Sequence, residues 1–274
     1  MITTLIVVAL VVIAMLSTGC TIDDVIPPMK KIKKWDECTK SSNWTGKNAA
    51  KRIMNILSPN MSDASFNERY NFAKGRGVNY FAVFLTNHKD GEYAGYSPFG
   101  KSFNIDKGTD KASCEVMTKR INKMLDDDIA FVPFMMADDS NDWARTAASK
   151  WDKYCKALKD LGWLDKASMV VIGLEIEEYW KDAKTVSNLI SILRKYYNGK
   201  IGTHHVSNSY GLALGDVAFL QMNPGQSDSA IKSYVNKAKS ALKKPVCMFE
   251  LERNEDRHRS QVALDAGAFS CGNW

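Results

Sequence analysis

Two carboxylate-rich segments carry the chemistry legible in this chain: Met169 to Trp180, MVVIGLEIEEYW, and Lys244 to Glu252, KPVCMFELE. Each is an apolar run of strand length tipped with acids, Glu175, Glu177 and Glu178 in the first and Glu250 and Glu252 in the second. Two carboxyl groups held across one substrate can divide their labour. One stays protonated and gives its proton to a leaving oxygen, while the other stays ionised and attacks the developing cation. That is the chemistry of glycosidic-bond cleavage. A carboxyl separation of about 5 Å predicts retention of configuration, and about 6.5 to 9.5 Å predicts inversion. Like charges and the apolar neighbours Tyr179, Trp180 and Phe249 raise the proton affinity of the acid member.

Such acids must be delivered to one place, and a (β/α)8 barrel does this because every strand brings its C-terminal residues to one face. The rest of the chain reads that way. Apolar runs near Arg52–Leu57, Val78–Leu85, Ile129–Met136, Met169–Ile176, Ile201–His205, Val217–Met222, Val246–Leu251 and Ala268–Cys271 make eight strand candidates. Between them lie helical patterns ending at Lys74, at Lys111–Leu125, Trp143–Leu161, Lys184–Tyr197, Ser229–Leu242 and Arg257–Asp265. Strands separated by helices imply parallel pairing, and runs without two-residue alternation imply burial on both faces. The fold class expected is α/β, a single TIM barrel over residues 48–274. An open doubly wound sheet is disfavoured because no glycine-rich phosphate loop follows the first strand.

The N-terminus carries an export signature. Leu5 to Leu16, LIVVALVVIAML, is too short for a comfortable span and fits the apolar region of a signal peptide. Ser17, Thr18, Gly19 and Cys20 then resemble a bacterial lipoprotein cleavage box, with Cys20 lipidated; plain secretion and an uncleaved anchor are the alternatives. Residues 1–20 are read as this signal and 21–47 as a polar tether or lead-in, which includes Pro27 and Pro28. Removing residues 1–20 from 274 leaves 254, close to the ~250 typical of the barrel. Five cysteines then remain, spread widely and without a CxxC pair, so neither a disulfide framework nor a zinc site is indicated. Cys155 and Cys247 read as buried free thiols. The net charge of +6 is scattered apart from KKIKK at 30–34, which points to a solvated face or a tether near an anionic envelope rather than to nucleic acid.

Reading the residues just past each strand gives the candidate substrate-binding set: Asn87, Asp138, Glu175, Trp180, His205, Gln221, Asn223, Gln226 and Trp274, with Ser58, Asn60, His88, Asp139, His204 and Asn273 beside them. Sugar hydroxyls need polar partners and ring faces need aromatic ones, and this set supplies both. Metal chemistry is not called for: the first strand has no HxH, and the adjacent His204 and His205 point to opposite sides of a strand. GxSxG, GxGxxG and P-loop motifs are absent, so no cofactor is expected. The Thr86–Lys107 loop, with Tyr93, Tyr96 and Phe99, is expected to shape specificity.

The order of these segments resembles a known family. Lys244 and Pro245, followed by Glu250 five residues after the proline, look like the seventh strand of retaining barrel glycosidases. Gly202-Thr203-His204-His205 resembles the fifth-strand TxH ending of the apiosidase-like glycoside hydrolases, and FLQMNPGQ at Phe219–Gln226 resembles their sixth strand with its QSGH. SQVALDAGAFSCGNW at Ser260–Trp274 resembles their eighth. The resemblance covers Val170–Trp274 and implies Glu250 as nucleophile, with His205 and Asn223 binding sugar hydroxyls. The fourth strand departs from it, reading Glu175-Ile176-Glu177-Glu178 where the family ends small-small-acid. Position counted along the strand favours Glu178 as acid/base, with Glu177 next and Glu175 as a buried partner; Glu252 stands behind Glu250. The reading is an exported glycoside hydrolase acting on a glycan. A non-catalytic carbohydrate-binding or structural barrel is the alternative.

Overall fold

The computed structural model describes residues 42–43, 53–75, 77–87, 93–137, 141–180, 182–206, 210–222, 225–249 and 258–272. Eight strands, β1 Ser42–Asn43, β2 Tyr80–Phe84, β3 Ala130–Phe134, β4 Met169–Val171, β5 Lys200–His205, β6 Val217–Gln221, β7 Val246–Phe249 and β8 Ser270–Gly272, form one sheet. Their order is β1-β8-β7-β6-β5-β4-β3-β2, and each adjacent pair is parallel. The two edge strands, β1 and β2, also approach within 8 Å of each other.

Helices cross between successive strands: α1 Asp63–Lys74, α2 Lys111–Asp126, α3 Asn141–Ser149, α4 Trp151–Asp160, α5 Trp163–Lys166, α6 Ala183–Leu193, α7 Asp228–Leu242 and α8 His258–Asp265. Their starts are set by side chains that accept the otherwise unpaired N–H groups of the first turn. Ser62 accepts from Ser65, Asp110 from Ser113, Asp182 from Thr185 and Ser227 from Ala230.

The strands are buried on both faces, as their unbroken apolar runs require. Toward the helices, Ala218, Leu220, Val246 and Met248 pack with Ile231, Val235 and Ala238 of α7 and Val262 and Ala263 of α8. On the other face, Phe134, Phe219 and Phe249 gather with ring centroids 5.4 to 5.9 Å apart. Cys114, Cys155 and Cys247 are buried, and none of the three forms a disulfide among the described residues.

Four expectations are corrected. The apolar run at residues 53–57 is a buried turn, not a strand. Ile56 N–H donates to Ile53 and Ser58 N–H to Asn55, while Met54 presents its carbonyl to Phe84 N–H at 2.7 Å. The strand that pairs with β8 is Ser42–Asn43, within the stretch read as a lead-in. The fourth strand stops at Val171 rather than Ile176: Leu174 N–H bonds Met136, and Glu175 takes a left-handed φ of 49°. Gly173 is needed there, since a Cβ would lie 2.5 Å from the Tyr179 hydroxyl. The single helix expected over Trp143–Leu161 is two, broken at Lys150 (φ −125°, ψ 25°), so that Trp151, Tyr154, Cys155 and Leu158 of the second piece reach the core.

The aromatics of the 86–107 loop face inward as well. Tyr96, Phe99 and Phe103 are buried, Phe103 stacks on Trp143, and Asn87 and Tyr96 exchange backbone bonds across the loop neck. These rings pin the loop down and are not a platform for a sugar. The loop also borders a cavity of about 330 Å³ whose wall includes Asn104, Trp143 and Thr146.

Candidate active site

Register decides which strand residues face the sheet interior. Phe219 lies opposite His204 across β5 and β6, and Gln221 lies opposite Phe249 across β6 and β7. His204, Phe219, Gln221 and Phe249 therefore share a side, the side of the aromatic cluster. The His204 ring is 5.4 Å from Phe249 and 6.1 Å from Phe134, edge-on to the former. Phe249 is the last described residue before Glu250. Phe249, at the end of β7, is thus packed against Phe134, His204 and Phe219.

His204 and His205 fall on opposite sides, as their adjacency dictates. His204 is fully buried, and its Nδ1 accepts Glu175 N–H at 3.0 Å. That bond places the ring proton on Nε2, which is buried and has no hydrogen-bond partner among the described residues. Burial and the neighbouring His205 hold its pKa well below the ordinary histidine value, so it is a neutral donor. His205 occupies the other side of β5 with Thr203. Its Nε2 is 2.9 Å from Thr203 Oγ1, and its Nδ1 is 3.6 Å from Glu177 Oε2. Burial pushes His205 down to about 4 against the opposing pull of Glu177.

The acids of the β4 turn are separated by this geometry. Glu177, 20% exposed at its side chain, accepts Val206 N–H at 2.8 Å through Oε1 and lies against His205. Glu178 is exposed, and its N–H donates to the Glu175 carbonyl at 2.9 Å. Glu175 is half-buried and anchored on the inward His204.

The remaining sequence candidates divide between packing, surface and the interior. Gln221 is inward, and its Oε1 is buried with no hydrogen-bond partner among the described residues. Asn87 is 8% exposed and donates to Asn55 Oδ1 at 2.7 Å, a clip between two chain segments. Trp180 is 3% exposed and packs edge-on against Trp151 and Tyr179, so its ring faces the core. Gln226 is exposed on the far side of the β6 turn. Asp138, Asn223, Glu250, Glu252, Trp274 and Cys20 lie outside the described residues. Sequence reasoning named both histidines at this strand end and gave the sugar-binding role to His205 by resemblance; the structure puts His204 on the side of the aromatic cluster. The signal that finds it is the pairing of β5 with β6, which puts His204 beside Phe219.

The two buried histidines make acid sensitivity predictable. Both have folded-state pKa values below the unfolded value of about 6.5, so the unfolded chain binds more protons once pH falls under it. Stability is therefore full above about pH 6.5 and declines toward pH 4. Melting temperatures across pH 7.5 to 4.5 are expected to fall, and His205→Asn is expected to flatten that slope by close to one proton. An unchanged slope in the variant would show that His205 is not a buried neutral group.

No protein-family model and no curated protein matches the sequence. Solved structures do match in fold. A glycoside hydrolase family 5 protein from Bacteroides vulgatus aligns with TM-score 0.60 at 16% identity, over 79% of this chain and 56% of that one. Thermotoga maritima Cel5A, solved with mannotriose, aligns with TM-score 0.56 at 11% identity, over 84% and 88%. A GH113 β-1,4-mannanase aligns with TM-score 0.51 at 14% identity, over 85% and 86%. These likenesses place the chain in the fold shared by barrel glycoside hydrolases.

Proposed function

We propose that this protein is a glycoside hydrolase that cleaves its glycan with two carboxyl groups, retaining configuration at the anomeric carbon. The observation that carries the reading is the packing of the acid-bearing β4 turn, through His204, against Phe249 at the end of β7, after which the sequence continues into Glu250. Glu175 of the β4 turn bonds His204, and His204 touches Phe249, the residue before Glu250. In a parallel sheet closed as a barrel, strand ends on this edge surround a single substrate site. The approach of β1 to β2 supports closure, and the fold likeness to glycoside hydrolases agrees with it.

Glu250 is read as the nucleophile, and the proton donor comes from the β4 turn. Inward donors and acceptors at the sheet edge, Gln221 Oε1 and His204 Nε2, suit sugar hydroxyls, because a site built to hydrogen-bond hydroxyls leaves polar atoms facing inward. The segment order over Val170–Trp274 supports the finer placement beside the apiosidase-like enzymes, with Asn223 as a further hydroxyl ligand. Lipidation of Cys20 would hold the domain at the cell envelope, where its substrate would be a surface or environmental glycan. No nucleic-acid partner is proposed.

The test is hydrolysis. Purified protein lacking residues 1–20, given a panel of plant, microbial and host glycans and aryl glycosides, is expected to release reducing sugar from at least one. Binding without release across the whole panel would favour the non-catalytic barrel.

A further inference from the structure

We propose that the base of the sheet under β5 to β8 is a docking face for an anionic lipid bilayer, an inference that rests on the reading of the chain as an envelope protein. A local surplus of cations, an exposed leucine and the entry of the chain into the fold coincide there.

All eight strands run one way and the helices return, so strand starts and helix ends share the face opposite the β4 turn. On that face the connections 194–200, 213–216, 239–245 and 265–269 hold Arg194, Lys195, Lys200, Lys239, Lys243 and Lys244 against Asp216 and Asp265. The other connections balance: 74–79 and 123–129 together carry three cations and three carboxylates, and 159–168 carries two of each. The base therefore has one basic sector. Asp216 is held by Arg194, Asp265 by Gln261, and Lys195 reaches Asp152. Lys200 and Lys243 are exposed and make no ion pair among the described residues. Helix dipoles favour cations at helix ends and account for Lys195 and Lys239, but Lys200 opens a strand.

In the middle of this sector stands Leu214, 41% exposed. The other large apolar side chain exposed among the described residues, Val206, follows the opposite end of β5. The turn that presents Leu214 is tightly held. Lys244 Nζ donates to the carbonyls on either side of it, Ala213 and Gly215, each at 2.6 Å. Asp216 N–H bonds Ile201 at 2.7 Å, next to Lys200, and a Cβ on Gly215 would lie 2.5 Å from that same Ile201 carbonyl. The turn is thus pressed onto the start of β5, and Leu214 is held out between Lys200 and the Lys243–Lys244 pair. A projecting aliphatic side chain ringed by lysines suits an anionic bilayer, where the chain enters the interface and the ammonium groups meet the phosphates. Water alone gives no reason to expose it.

The polypeptide enters at the same place. β1 pairs with β8 in parallel, so Ser42 lies at this face, and it is there that the chain leading from Cys20 joins the sheet. A bilayer against the base leaves the β4 turn and its acids open on the far side, toward glycan outside the membrane.

The test is flotation of protein lacking residues 1–20 with vesicles of equal parts phosphatidylglycerol and phosphatidylcholine. Without the lipidation site, binding reports the protein surface alone, and the lysines at 30–34 are common to every variant. Wild type is expected to bind these vesicles, not pure phosphatidylcholine, and to be released in about 1 M salt, where screening acts within about 3 Å. Lys200→Gln with Lys243→Gln should weaken binding about 25-fold, about fivefold per lysine as roughly 1 kcal/mol for each cation at such a surface implies. Leu214→Ser should weaken it about fivefold by removing the inserted side chain. Lys184→Gln, at the other end of the fold on α6, should stay within about twofold, and Lys200→Arg with Lys243→Arg should bind like wild type.

Melting curves matching wild type accompany each variant, since all the substituted side chains are exposed. Base variants that bind as well as wild type, or a wild-type protein that binds no vesicle, overturn the proposal. Unchanged vesicle binding by Leu214→Ser, with the lysine loss reproduced on heparin, would assign the face to a soluble polyanion and overturn it too. The envelope reading has its own readout: the full chain should fractionate with membranes, and Cys20→Ser should release it. A chain found in the soluble fraction without that substitution removes the envelope reading, whatever the vesicles show.

Discussion

Glu250→Gln is expected to lower glycan hydrolysis about 10,000-fold or more, equivalent to about 5.5 kcal/mol of transition-state stabilisation. Its melting curve should match that of wild type. The substitution keeps size and shape but removes the charge that must attack the anomeric carbon. Sugar affinity rests on the surrounding hydrogen bonds, so the dissociation constant for a non-hydrolysed oligosaccharide should change by no more than a few fold. That pattern, with rate lost and binding kept, marks an interaction made only in the transition state. The strand before Glu250 explains why the effect should be so large. Phe249 packs on Phe134, His204 and Phe219, which fixes the end of the strand from which the sequence continues into Glu250, the proposed nucleophile. A variant that kept a tenth of the wild-type rate would move the role to Glu252, and Glu252→Gln should then show the loss.

The parts of the molecule that sequence foretold are those where burial and periodicity coincide. Strands β6 and β7 read correctly because their runs are largely apolar on both faces and preceded by Gly215 or Pro245, and β5 because a short run follows Gly199 and ends in polar residues. The helices that begin after Ser62 and Asp182 carry capping side chains before periodic apolar residues. The first strand was not visible, since Ser42 and Asn43 have no apolar signature and only their pairing with Cys271 and Gly272 makes them a strand. Ile53, Met54, Ile56 and Leu57 misled for the complementary reason: they are buried, but in a turn. Alternation told that His204 and His205 point apart without telling which one faces inward, because that depends on register with Phe219, fifteen residues away. At the β4 end, the period that ranked Glu177 and Glu178 ceased to apply within the segment it was ranking.

Arg120→Met is expected to destabilise the fold by about 3 to 5 kcal/mol, the largest effect on stability foreseen here. Arg120 lies on α2, is 2% exposed, and sends its guanidinium into the turn that follows residue 53. Nη1 donates to the carbonyls of Ile56 and Ser58, and Nη2 to that of Met61 at 2.7 Å. Phe66 covers the guanidinium at 4.8 Å, and Asp63 approaches it at 3.5 Å. Methionine fills similar volume but removes the Arg120 donor from the carbonyls of Ile56 and Met61 and leaves that of Ser58 with the Met61 N–H alone, beside the buried Ile56, Leu57 and Ser58. For a domain of this size each kcal/mol shifts the melting temperature by about 2 to 4 °C, so a fall near 10 °C is expected. Arg120→Lys should fall by roughly half as much, because one ammonium keeps the charge but cannot serve three acceptors as a planar fork does. The consequence reaches the sheet edge. The same turn gives Met54 O to Phe84 N–H, Asn55 to Asn87, and Ser58 Oγ to the Tyr93 carbonyl. One buried cation thereby sets the end of β2 and the neck of the loop beyond it. Thermal denaturation of the two variants beside wild type decides the matter: a change under about 2 °C for Arg120→Met, less than 1 kcal/mol on the same scale, would mean that the turn is held by its apolar residues alone.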